Sequence, residues 1–71
     1  MSKLSTGELE FIIKRVLQNA IDAAEEDDNT DFSHGRRLAY YEILDTIKNE
    51  FIVRDVDLEP LGLDIALEKL A

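Results

Sequence analysis

The stretch from Phe32 to Arg54 has the clearest two-sided pattern of apolar and polar positions in the chain. Its main apolar line steps by four, three and four residues, which is the spacing of a helix–helix contact. This line is formed by Tyr40, Leu44, Ile47 and Phe51. A weaker second line, which favours a neighbour on another side, is formed by Leu38, Tyr41 and Ile52. The pattern predicts an amphipathic helix over about 32–54.

A first amphipathic helix is predicted over about 5–26. Ser5 and Glu8 have the spacing of a capping box, in which each side chain bonds the backbone N–H of the other residue. Leu4 and Leu9 have the spacing of a hydrophobic staple across the same helix start. The apolar line of this helix again steps by four, three and four residues, through Leu9, Ile13, Val16 and Ala20.

Two polar breaks separate the predicted helices. In the segment EEDDNTD at 25–31 the charges repel one another, and Asp and Asn compete for the helix backbone. Asp31 or Ser33 is the expected N-cap of the second helix. Pro60 suits the first turn of a helix, so a short C-terminal helix is predicted over about 60–70. The predicted fold class is therefore all-α, an antiparallel helical hairpin with a short third helix.

The chain has 71 residues and no cysteine. A single domain over 1–71 of this size buries only about 60% of its unfolded surface, and no disulfide or thiolate metal site reinforces it. Unusually good packing is one solution; we expect the other, a homodimer whose two hairpins form a four-helix core. The residues expected in this core or interface are Leu9, Ile13, Val16, Ala20, Tyr40, Leu44, Ile47 and Phe51.

The formal net charge is −8, from sixteen acidic and eight basic residues. This charge disfavours nucleic acid and anionic membranes as partners, and it suits a basic protein partner or solubility alone. The start of the chain lacks the apolar core of a signal peptide, and no apolar run reaches bilayer length. We therefore expect a cytoplasmic protein; the absence of cysteine is consistent with that compartment.

His34, Arg36 and Arg37 cluster at the start of the second predicted helix. A helix N-terminus presents free N–H groups, and arginine offers a planar fork of donors, so the cluster is a candidate binding site for a phosphate or carboxylate. The alternative is that these cations form salt bridges with Glu25, Asp27 or Asp28 of the acidic break. A single histidine without cysteine does not define a metal site.

Glu25, Glu26, Glu42 and Asp45 are candidate magnesium ligands, because carboxylates on facing helices hold this ion; the alternative is that all four are surface carboxylates. Their arrangement resembles the all-α nucleotide pyrophosphohydrolases, whose pattern pairs Glu-Glu-x-x-Glu with Glu-x-x-Asp. Here Asn29 replaces the third glutamate. The resemblance implies magnesium-dependent nucleotide hydrolysis as an alternative function.

A shorter resemblance concerns the stretch Tyr41-Glu42-Ile43-Leu44-Asp45, which at Leu44-Asp45 is similar to the second helix of sporulation phosphatases of the aspartyl-phosphate class. The activity of that class depends on a Ser-Gln-x-x-x-Asp element, and this stretch contains neither serine nor glutamine. It implies at most a phosphatase-like regulator of a signalling protein. The pattern as a whole favours a non-enzymatic interaction or regulatory module that self-associates and needs no cofactor.

Overall fold

The computed structural model describes residues 5–71, and all regular structure in this range is helical. Helix α1 spans Thr6–Glu25 and helix α2 spans Asp31–Val53. Two short 3-10 turns follow, at Glu59–Leu61 and Leu67–Leu70. Because only five residues connect α1 and α2, the helices pack against each other as an antiparallel hairpin. The predicted all-α fold and its two long helices are confirmed.

Helix α1 begins at the predicted capping box. The Glu8 backbone N–H donates to Ser5 Oγ at 3.1 Å, and the Ser5 backbone N–H donates to Glu8 Oε1 at 3.4 Å. These bonds satisfy two of the donors that a helix start leaves free. The predicted staple between Leu4 and Leu9 falls partly outside the described residues.

Helix α2 begins one residue earlier than predicted, and its N-cap is Thr30 instead of Asp31 or Ser33. Thr30 has extended backbone geometry, and its hydroxyl oxygen accepts the backbone N–H of Ser33 at 3.2 Å. Asp31 is instead the first helical residue, where its carboxylate lies favourably beside the positive end of the helix dipole. The N-cap differs from the prediction by at most three residues, because all three residue types suit a helix start.

Helix α2 ends in a left-handed turn centred on Asp55, which has φ 57°. The Val56 N–H donates to the Phe51 carbonyl at 2.9 Å, and the Asp55 N–H donates to the Ile52 carbonyl at 3.1 Å. This pair of bonds is a Schellman motif, in which glycine usually occupies the left-handed position.

The C-terminal helix predicted over 60–70 does not form as one helix. Gly62, at φ 73°, closes the first 3-10 turn, and the N–H groups of Gly62 and Leu63 donate back to the Glu59 and Leu58 carbonyls. A Cβ on Gly62 would lie 3.1 Å from a methyl group of Leu17 on α1, so glycine also permits close contact with the hairpin. The chain then continues without helix to the second 3-10 turn.

The core lies between the hairpin and this C-terminal segment, which contacts both helices. Eight hydrophobic side chains are buried in the described range. Four come from α1, one from α2 and three from the C-terminal segment: Ile13, Leu17, Ala20, Ala23, Leu44, Leu61, Leu63 and Leu67. The longest helix therefore contributes a single fully buried side chain.

Candidate functional site

The connection between α1 and α2 is built from hydrogen bonds to two aspartates. Asp27 accepts the backbone N–H of Asn29 at 2.8 Å, and Asn29 adopts a left-handed φ of 64°. Asp28 Oδ1 accepts the Thr30 N–H at 3.2 Å, the Thr30 hydroxyl at 2.6 Å and the Ser33 hydroxyl at 2.5 Å. The acidic segment is thus an ordered turn that also fixes the N-cap of α2.

The structure places the candidate anion-binding cluster directly against this turn. Arg36 Nη1 lies 3.1 Å from Glu26 Oε2, and Arg37 Nη1 lies 2.7 Å from Asp27 Oδ2. His34 Nε2 lies 3.7 Å from the same Asp27 oxygen. The arginines of the cluster thus pair with carboxylates of the same chain. Asp27 is one of the three expected partners, whereas Glu26, which was not among them, takes the place of Glu25 or Asp28.

The Arg37–Asp27 pair is the more shielded of these contacts, with side-chain exposures of 23% and 13%. The hydrogen bond from Arg37, followed by that from the Asn29 N–H and by the nearby His34, holds the pKa of Asp27 below its usual value. Asp27 therefore stays ionised at neutral pH and orients the arginine on α2.

Arg37 makes a further contact that the sequence did not indicate. Its Nε donates to the Leu70 carbonyl at 3.1 Å, and Nη2 lies 3.5 Å from the Lys69 carbonyl. One side chain thus connects the interhelical turn, α2 and the last 3-10 turn. Backbone carbonyls are present at every residue, so no sequence pattern marks which of them an arginine will reach.

The four candidate magnesium ligands are not brought together. Glu25 and Glu26 are at the turn end of α1, whereas Glu42 lies eleven residues into α2, roughly 16 Å along the helix axis. Within residues 5–71, no group of three histidine, aspartate or glutamate side chains could hold a metal ion. The geometry thus supplies no observation that favours nucleotide hydrolysis over a surface role for these carboxylates.

The eight predicted core or interface residues differ in burial. Ile13, Ala20 and Leu44 are buried, whereas Leu9 is 41% exposed. The remaining members are half-buried and pack against the core: Val16, Tyr40, Ile47 and Phe51. The apolar lines predicted on the two helices therefore lie partly in the core and partly at the surface of the protein.

One side of the hairpin is covered and the other is open. On α2, Arg37 and Lys48 bond the C-terminal segment, and Ile43 lies roughly 120–140° around the helix from them. On α1, Leu17 packs on Gly62, and Ile12 lies roughly 140° away. We define the open face by its two apolar stripes, one on each helix: Leu9, Ile12, Val16, Tyr40, Ile43 and Ile47.

The open face exposes large apolar side chains. Leu9, Ile12 and Ile43 are 41%, 45% and 53% exposed, and the other three residues are half-buried. In the described range, neither helix combines the length and apolar character that crossing a bilayer requires. The apolar residues of this face follow a helix–helix spacing of three and four residues on each helix.

Comparisons with protein-family models, curated proteins and solved structures found no match for this chain.

Proposed function

We propose that this chain is a small, acidic, non-enzymatic interaction module that self-associates as a homodimer. The open faces of two copies pack together, so that two hairpins form a four-helix core. In this arrangement the dimer is the scaffold, and its outer surfaces remain available to a protein partner. The magnesium-dependent hydrolase has no comparable support, since its four carboxylates are spread along the hairpin.

The observation that carries this proposal is the exposed apolar surface of the open face. Leu9 and Ile12 of α1 and Ile43 of α2 are 41%, 45% and 53% exposed. Helix α2 has 23 residues and only one fully buried side chain, Leu44. A chain of 71 residues can form only a small hydrophobic core. Burying a half-exposed isoleucine or leucine side chain in an interface stabilises the dimer by on the order of 1 kcal/mol.

The test is sedimentation equilibrium from about 5 µM to about 500 µM, which spans the affinity expected for a modest apolar interface. We expect the wild type to convert from monomer to dimer in this range. Ile43→Glu places a charge in the centre of the open face, and it should raise the dimer dissociation constant at least about tenfold. Because Ile43 is already half-exposed, circular dichroism should show the same helix content as the wild type.

Phe11→Glu is the matched control. Phe11 is a large apolar residue of α1 that is 66% exposed and lies outside the open face. It should leave the dissociation constant within about twofold of the wild-type value. A wild type that stays monomeric throughout the range overturns the proposal, and equal effects of the two variants overturn the assignment to the open face.

A further inference from the structure

A second surface, separate from the open face, lies where the end of α2 meets the C-terminal segment. It is a shallow cleft with an apolar floor formed by Ile52, Val56 and Leu58. Ile52 lies on α2 roughly 140° around the helix from Ile47, so the cleft and the open face point in different directions. Ile52 and Val56 are exposed, which leaves the floor accessible to another molecule.

The other four lining residues carry carboxylates, which we call the rim of the cleft. Asp55, Asp57, Glu59 and Asp64 line the cleft, and residues 55–64 include no lysine or arginine. None of the four takes part in an ion pair with another residue of the 5–71 range. Four negative charges next to apolar surface therefore face solvent without an internal cation.

The two basic residues that precede this segment in the sequence are engaged elsewhere. Arg54 Nη1 bonds both the carboxylate and the carbonyl of Glu50, each at 2.8 Å. Lys48 Nζ donates to the Ile65 carbonyl at 3.3 Å. Both cations are thus held by groups that do not line the cleft, and they leave its negative charge for a binding partner to neutralise.

We propose that this cleft docks a short basic segment of a partner protein, in which lysine or arginine residues alternate with large apolar ones. An apolar side chain of the segment packs on Ile52 and Val56, and the flanking cations lie against the carboxylate rim. A second copy of this chain suits the cleft poorly, because three of its arginines, Arg36, Arg37 and Arg54, already pair with carboxylates of their own chain. The net charge of −8 argues against a nucleic acid occupant.

The proposal is tested by fluorescence anisotropy with the labelled peptide Lys-Leu-Lys-Lys-Leu-Lys at about 50 mM salt, where surface charges are weakly screened. We expect the wild type to bind this peptide saturably. It should not bind the counterpart peptide in which glutamate replaces each lysine. Glu59→Gln combined with Asp64→Asn removes two rim charges and should weaken binding about fivefold. Ile52→Ser removes part of the apolar floor and should weaken binding by a similar factor.

The matched control is Glu25→Gln combined with Glu68→Gln, which removes the same two charges from exposed positions outside the cleft. It should change the affinity by less than about twofold. Equal weakening by the two double variants, or unchanged binding by Ile52→Ser, overturns the cleft as the binding site, as does an absence of saturable binding. The measurement is repeated with Ile43→Glu, whose unchanged peptide affinity separates this site from the self-association surface.

Discussion

At the scale of single residues, Asp28 orders the turn between the helices by accepting hydrogen bonds from two residues that follow it. One of its oxygens accepts three hydrogen bonds, two from Thr30 and one from Ser33. The bonds from Ser33 and then Thr30 lower the pKa of Asp28 to about 2, because they favour the ionised carboxylate. The Thr30 hydroxyl group that donates to Asp28 also accepts the Ser33 backbone N–H, and this second bond caps α2. Protonation of Asp28 is therefore coupled to the start of that helix.

This coupling predicts how the Asp28 contribution to stability changes with pH. In the unfolded chain the carboxyl has its ordinary pKa of 3.8, and in the folded chain the pKa is about 2. The unfolded state therefore binds a proton first as pH falls, so the contribution is fully present above about pH 4 and is lost as pH falls through about 2. In urea unfolding at pH 6, Asp28→Asn should have a lower free energy of unfolding than the wild type. This difference in free energy should shrink as the pH is lowered toward 2.

A carboxyl titration followed by NMR measures the same effect directly. Ser33→Ala removes the hydroxyl donor with the largest influence, so the pKa of Asp28 should rise toward 3.8 in this variant. A titration of Asp28 near 3.8 in the wild type, or a stability difference that is independent of pH, would contradict the prediction.

The sequence predicted that residues 25–31 interrupt the helices. It did not predict the hydrogen bonds that order this turn. The charges of 25–31 correctly indicated an interruption, because like charges and helix-poor residues act locally. The bonds of Asp28 to Thr30 and Ser33 depend on one particular backbone path through Asn29, which has a left-handed φ. Many loop paths are compatible with the same residues, so composition alone could not select this one.

At the scale of elements, the two long helices follow from local signals and the C-terminal segment does not. The capping box at Ser5 and the three-and-four spacing of both helices require only neighbouring residues, so each helix end was predicted to within one residue. The predicted third helix is interrupted at Gly62, which has a left-handed φ and packs closely against Leu17 of α1. An apolar spacing suitable for a helix was thus overridden by a tertiary contact.

The end of α2 provides a prediction at this scale, because an aspartate occupies the left-handed position of its Schellman motif. Asp55 bears the conformational strain of a positive φ, and its charge lies beside the negative end of the helix dipole. Asp55→Gly relieves both effects and should raise the free energy of unfolding by about 0.5–1 kcal/mol. Urea unfolding followed by circular dichroism measures this change.

Asp55→Asn separates the two causes, since it removes the charge and keeps a side chain at the left-handed position. Its stability should lie between those of the wild type and Asp55→Gly. A glycine variant less stable than the wild type would show that the aspartate makes a favourable contact that outweighs its strain.

At the scale of the whole molecule, some residues of the two predicted apolar lines lie in the core and others lie at the surface. The C-terminal segment covers one side of the hairpin and supplies three of the eight buried side chains, Leu61, Leu63 and Leu67. Residues such as Ile13 and Leu44 were predicted because they lie at the centre of a helical stripe. The sequence could not decide which edge of each stripe the C-terminal segment would cover. That choice leaves Ile12 and Ile43 exposed and defines the open face.

The contacts of Arg37 with the C-terminal segment yield the last prediction. This side chain bonds both Asp27 of the interhelical turn and the Leu70 carbonyl, so it links the last 3-10 turn to the interhelical turn. Arg37→Met keeps an unbranched, flexible stem and removes every donor. It leaves Asp27 without its arginine and should lower the free energy of unfolding. Hydrogen exchange of the backbone amides over 67–71 should also accelerate, because the last turn loses its tether to α2.

Two further variants test whether the geometry of the arginine matters. Arg37→Lys retains one charge but has no planar fork, so it can bond either Asp27 or the Leu70 carbonyl and should recover only part of the loss. Arg36→Met removes the neighbouring, more exposed pair with Glu26 and should have a much smaller effect, with no change in exchange over 67–71. If Arg37→Met and Arg36→Met were equally stable, the C-terminal segment would be held by its leucines alone, and Arg37 would be an ordinary surface cation.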